Sequence, residues 1–342
     1  MPMVASHKSP DLISSDRIRH EAMRTTEEYL KRQTFRVENA AVVALLALYR
    51  ETHNALRAFA ITRADDLDIR TLGSDVLSRM WRDDMLDAVQ QAIERLSVRT
   101  EALVTRFGAA ALKGGYFGRL WLLDAITQDD VTIRMDAALG GITESAMLRE
   151  DYYSSLITDL LGKQWRDQYA LELDDLMMQI RRAIGQGVIN GEGIPDVMRR
   201  VRDAMGVVTD RRRGAAGSVT RAGYRANFNR VQTLTRTVIN DLSNRGAVSA
   251  YRANRDVLQG YEILVAHDER TCDICRPLDG KRFGMKSNFR PPFHPNCRCS
   301  VIPWLKDGVL EPGQDKPRQS FKAWAQSFGM ERELADFLVP KA

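Results

Sequence analysis

The chain has 342 residues, 44% of them hydrophobic and 28% charged, an ordinary globular composition that excludes a disordered or collagen-like chain. Its longest apolar run, Ala40 to Tyr49, is about half of what a membrane-spanning helix requires, so no membrane segment is expected. Net charge is +5, and the 45 acidic residues interspersed among 50 basic ones leave a weaker excess than a general nucleic-acid binder carries.

Arginine supplies 40 of those 50 basic residues, and its planar fork suits carboxylate and phosphate partners. At roughly 100 to 200 residues per domain, two or three domains are expected. The expected class is mainly α, with long helices first and a small α+β unit last, built on a β-hairpin or sheet.

Residues 1–16 are polar, lack the apolar stretch of a secretory signal, and read as a flexible or partner-ordered arm. From about Asp16 to Arg63 the pattern is helical without an internal proline, as one long helix or two. A second long segment places Leu86, Val89, Ile93, Leu96, Leu103 and Phe107 on alternating three and four spacings, with Thr100 filling the gap. Such a narrow seam fits an antiparallel helical hairpin, because short-range pairing closes the smaller loop. Gly114–Gly115 and Gly140–Gly141 read as breaks, and Gln128 to Asp130 as a helix entry or loop. Residues 17–162 are assigned to an N-terminal helical domain.

Residues 163–256 read as a helical scaffold. Leu173, Leu176, Met177, Ile180 and Ile184 stand at amphipathic spacing in a helix expected to end near Gly185 and Gly187. The next helix starts at Gly193-Ile194-Pro195 and buries Val197, Met198, Val201 and Met205. Residues 209–217 (TDRRRGAAG) form a linker or insertion, where Arg211, Arg212 and Arg213 are either solvated or in contact with DNA phosphates or an acidic protein surface. A long helix follows from Ser218 to Arg255, with Phe228, Val231, Val238 and Leu242 at helical spacing. Gly246, costly inside a helix, implies close packing or a kink.

All four cysteines fall between residues 272 and 299. Cys272-x2-Cys275-x18-His294-x2-Cys297-x-Cys299 offers five donors for the four positions of a structural zinc. Tyr261 to His267 and Arg298 to Ile302 have the composition of short strands, and Asp279–Gly280 reads as a tight hairpin turn between the half-sites. Two disulfides are the alternative, less suited to a reducing compartment. His294 and Cys299 compete for the fourth position, and Asp268, Glu269 and Arg270 are candidates to hold the knuckle.

Two catalytic patterns compete with this reading. His267-Asp268-Glu269 before Cys272 imitates a zinc deaminase, but its glutamate stands too close to the first cysteine to act as the general acid. A nuclease using His294 and Asn296 has, apart from His267, only His7, His20 and His53, which lie far upstream, and a catalytic zinc needs an open position. No catalytic residue and no small-molecule substrate is expected.

The run AHDERTCDICRPLDGKRF, followed by PPFHPNCRCSVIP, resembles the signature of the phage head morphogenesis family, the minor capsid proteins of SPP1 and Mu type. The resemblance implies a structural virion component of few copies, associated with the portal vertex and other head proteins, acting in head assembly, DNA packaging or DNA delivery. A zinc-dependent nuclease or toxin-like effector is the alternative, and an adaptor binding double-stranded DNA through its arginines a second one. Residues 257–305 form the expected zinc unit, and 306–342 a breaker-rich connector and a C-terminal helix that packs Phe321, Trp324, Phe328 and Leu334 to Leu338.

Overall fold

A computed structural model describes residues 10–127, 133, 150–206, 227–266, 271–309, 319–330, 334 and 337. The helices are α1 (Pro10–Asp66), α2 (Val76–Ile126), α3 (Glu150–Ile189), α4 (Ile194–Met205), α5 (Asn227–Ala253) and α6 (Phe321–Ser327). Strands β1 (Leu258–Leu264), β2 (Arg282–Gly284) and β3 (Ser300–Leu305) form one antiparallel sheet in the order β2-β1-β3. The fold is therefore mainly helical with a small C-terminal sheet. None of the described helices is long and apolar enough to cross a membrane. Two compact units emerge, one from Met1–Glu38, Phe107–Ile157 and Thr237–Lys341, the other from Asn39–Arg106 and Thr158–Arg236.

In the second unit α1 and α2 run antiparallel. The Trp81 indole donates to the Ala60 carbonyl at 3.0 Å and Arg63 pairs with Asp84 near the α1–α2 connection, while Glu51 pairs with Arg99 farther from it along both helices, as in an antiparallel pair. The seam buries Met85, Val89, Ile93, Leu96, Thr100 and Val104. Leu86 and Leu103, expected in it, are half-buried, because the helix takes about 3.6 residues per turn, turning slightly more slowly than a 3.5-residue repeat, and this moves the contact line outward to Met85 and Val104 at either end. In the run Ala40 to Tyr49, Leu45, Leu48 and Tyr49 are buried while Val43 is exposed.

α3 buries Leu173, Leu176, Met177, Ile180 and Ile184 as expected, but it does not stop at Gly185. It continues to Ile189 and reverses at Gly191, whose φ of +67° suits glycine. Gly187 serves packing instead: a Cβ there would lie 2.4 Å from the Val197 side chain, so its absence lets α4 approach. Pro195 sits in the first turn of α4 and Gly206 closes its C-terminus in the left-handed conformation.

In the first unit, Gly114 and Gly115 do not break α2, which runs through them. A Cβ on Gly115 would fall 2.1 Å from the Ser243 carbonyl oxygen, and one on Gly246 would fall 2.3 Å from that of Leu112. The two helices cross backbone to backbone, which accounts for the glycine inside α5 by close packing.

Around this crossing Leu122, Leu123, Tyr251, Tyr261, Ile263 and Val301 join the core that carries the sheet. Glu27 and Arg119 form a fully buried ion pair nearby. Burial raises the Glu27 carboxyl, against the pull of the Arg119 guanidinium. The C-terminal aromatics dock on this unit: Phe321, Trp324 and Phe337 are buried, and Trp324 donates to Asp124, whereas Phe328 stays half-exposed. α5 is described from Asn227; Ser218 lies outside the described residues, and Val238 is half-buried while its neighbour Ile239 takes the core position.

Candidate metal centre

The cysteine segment is shaped by backbone before any metal is considered. After Cys272 the chain turns, with the N–H groups of Cys275 and Arg276 both donating to the Cys272 carbonyl, and passes through a short 3-10 turn at Arg276–Leu278. Cys275 N–H also points at the Cys272 sulfur at 3.4 Å. Gly280, with a φ of +72°, donates to the Ile263 carbonyl and sends the chain into β2. The Asp279 carboxylate pins this turn by accepting from Val265 N–H at 3.0 Å. The Asp-Gly turn thus leads into a strand, as expected, but its upstream side is the 3-10 turn rather than a second strand; the hairpin partner of β2 is β1, and the first cysteine pair rides in their connection.

The second half-site is a tight loop. Asn296 has a φ of +58°, a left-handed conformation that asparagine tolerates, and it swings Cys297 back so that its N–H donates to the His294 carbonyl. α5 grips this loop along one face. Thr237 Oγ1 accepts from Asn296 N–H, Asn240 Nδ2 donates to the Cys297 carbonyl at 2.6 Å, and Asn244 Nδ2 donates to the Cys299 carbonyl at 3.2 Å. These three residues were not among the expected site residues. Their signal is polar side chains at i, i+3 and i+7 on one helix face, continued by the buried Val248 and Tyr251.

The five donors converge. His294 Nε2 lies 3.2 Å from the Cys272 sulfur and 3.1 Å from that of Cys275, and the Cys275 and Cys297 sulfurs are 3.9 Å apart. Cys272, Cys275 and His294 form one group whose donor atoms lie within 4.8 Å of one another; Cys275, Cys297 and Cys299 form another. All four cysteines are free thiols, and Cys275, Cys297 and Cys299 are buried. The disulfide alternative is therefore not realised.

This donor set fits a tetrahedral metal ion. Zinc bonds of ~2.3 Å to sulfur and ~2.0 to 2.1 Å to nitrogen place two sulfurs about 3.8 Å apart and a sulfur and a nitrogen about 3.6 Å apart. The observed sulfur–sulfur spacing of 3.9 Å matches the first value, and the sulfur–nitrogen spacings of 3.1 and 3.2 Å are a few tenths of an ångström shorter than the second. The histidine ring is also in the form a metal requires. Its Nδ1 lies 2.8 Å from the Pro295 carbonyl oxygen, which can only accept, so Nδ1 carries the hydrogen and Nε2 turns its lone pair toward the sulfurs.

The thiols differ electrostatically. The Cys272 thiol is lowered, chiefly by the Cys275 backbone N–H. A hydrogen bond from Cys299 holds Cys297 down at about 5, and Cys299, the donor in that bond and itself buried, is raised. Burial pushes Cys275 up to about 12. Lys31 from α1 adds a positive charge facing Cys299 and Cys297, with its own amine lowered by burial.

Residues 178–302 match the family described as phage Mu protein F like protein. The match runs from the second half of α3 to β3, takes in all five donors, and supports a phage head morphogenesis family for the segment. No curated protein and no solved structure matches the chain.

His267, Asp268, Glu269 and Arg270 lie outside the described residues, as do Arg211, Arg212 and Arg213, His7, Gln128 to Asp130 and Gly140–Gly141. His53 is buried far along the sequence from the centre and contacts the Met198 carbonyl at 3.2 Å, so it serves the packing of α1 on α4.

Proposed function

We propose that the chain is a structural minor head protein of a bacteriophage or prophage, that it works at the portal vertex in head morphogenesis or in DNA packaging and delivery, and that a single structural zinc ion closes its cysteine centre. One observation carries this reading: a single contiguous match to the phage Mu protein F-like family contains the C-terminal end of α3, α4, α5 and every donor of the centre.

Cys272, Cys275, His294 and Cys297 are the proposed ligands, because the first three share one donor group and Cys297 stands at a tetrahedral edge length from Cys275. Cys299 is then the leftover thiol that donates to Cys297. When bound, zinc supplies cross-linking and folding energy. Both ring nitrogens of His294 are engaged, one by Pro295 and the other by the sulfurs, which leaves neither for proton transfer and speaks for a structural centre over a nuclease or effector enzyme. The partners are the portal and other head proteins. Arg211, Arg212 and Arg213 are the proposed contact with duplex DNA or an acidic portal surface, by attraction that weakens with salt.

Two measurements test this separately. Purified heads analysed by mass spectrometry are expected to contain the chain at low copy together with the portal protein; its absence from both assembling and mature heads would remove the viral role. Elemental analysis is expected to find one zinc per chain, lost in Cys272→Ser, Cys275→Ser, His294→Ala and Cys297→Ser and retained in Cys299→Ser. Full zinc retention in Cys275→Ser contradicts the centre itself.

A further inference from the structure

α3 has a second face that its own unit does not use. Leu171 is 67% exposed, Met178 50% and Ile189 80%, although each is a large apolar side chain on a described helix. With Gly185 they fall at i, i+7, i+14 and i+18, all within about 40° of one another around the helix. Gly185 has no atom within 4 Å of where its Cβ would stand, so this stripe of knobs ends beside an open hole.

Charge is arranged symmetrically about the middle of the stripe. Asp174 and Asp175 precede Met178 by four and three residues, and Arg181 and Arg182 follow it by three and four. Asp175 already binds Arg230. Asp174, Arg181 and Arg182 have no ion pair among the described residues, and all three are exposed.

We infer that this face of α3 pairs with the same face of a second copy of the chain, antiparallel, about a two-fold axis through Met178. In that register Met178 meets its own symmetry mate, and Leu171 seats over the Gly185 hole with the Ile189 side chain beside it. Asp174 faces Arg181 of the second copy on one flank, and Asp175 faces Arg182 on the other. An unrelated partner would need no internal symmetry in the sequence. A second copy does, since a two-fold interface is self-complementary. The contact spans about 27 Å of helix at 1.5 Å per residue, a small patch that fits a reversible dimer. The inference stands on α3 alone and does not depend on the head-protein reading or on the metal.

Sedimentation of the full zinc-loaded chain over about 1 to 300 µM tests it. A concentration-dependent dimer is expected, and Met178→Glu, which sets two carboxylates on the axis, is expected to leave a monomer. Asp174→Arg alone and Arg181→Glu alone should each weaken association by about tenfold or more. An equimolar mixture of these two variants should dimerise again, since each then presents the charge the other lacks. A chain that stays monomeric throughout overturns the inference. Single variants that associate like the parent, or a mixture that stays monomeric, overturn the register. All of these positions are exposed, and unchanged thermal melting of each variant confirms that its fold is intact.

Discussion

The α1–α2 seam and the cysteine centre are stabilised in opposite ways. Along the seam, Trp81, Met85, Val89, Ile93, Leu96 and Val104 each bury a modest apolar area, and the stabilisation is spread over many interchangeable contacts. At the centre a few directional contacts carry the load: three α5 side chains on one loop, one left-handed asparagine, and five donors around a point. Distributed burial tolerates loss and fails gradually. A convergent site fails all at once, because its parts hold position only together.

The sharpest way to separate the two is to deny the centre its proposed metal. Structural zinc contributes ~10 to 16 kcal/mol in small zinc peptides, so Cys275→Ser or a chelator is expected to unfold the segment around residues 258–305. Hydrogen exchange should then rise across β1, β2 and β3 while amides between residues 81 and 104 stay protected. Equal loss of protection in both would erase the distinction.

Next in size is the buried ion pair. Arg119→Met leaves Glu27 without its partner and should cost about 3 to 5 kcal/mol in denaturant unfolding, more than Glu27→Leu combined with Arg119→Met. Because the Glu27 carboxyl is raised above its ordinary value, the sign of the pH effect is set: the single variant should regain stability as pH falls from 7 toward 4.5, where the unfolded carboxyl also takes up its proton. Within the seam, Leu96→Ala should cost about 2 to 5 kcal/mol by opening a cavity, with no change in metal content. The smallest effect expected is that of Asn240→Ala, about 1 to 3 kcal/mol for the Cys297 carbonyl left without its donor, read as a melting temperature lowered by a few degrees and faster metal loss to a chelator.

Much of this was legible from residue spacing alone, and the misses share a cause. Apolar periodicity identified the helices because burial acts on every third or fourth residue, and it marked Leu173 to Ile184 correctly. The cysteine spacing brought out the donor set for a similar reason, since two residues between thiols suffice to aim both at one point. A local rule reads glycines as breaks at Gly114–Gly115, and as a helix end at Gly185 and Gly187. In three dimensions Gly115 and Gly187 mark close approaches of another element, which no local rule sees. Thr237, Asn240 and Asn244 were missed because their partners are main-chain carbonyls and an amide more than 50 residues away, and main-chain groups leave no trace in residue identity.

The crossing of α2 and α5 at Gly115 and Gly246 has a consequence for how such a chain tolerates variation. Elsewhere in the interior a larger side chain meets flexible neighbours that shift, and the penalty grows with its volume. At these two positions even one methyl group would meet a rigid carbonyl, so a saturation library should show a step, with alanine already as poorly tolerated as leucine.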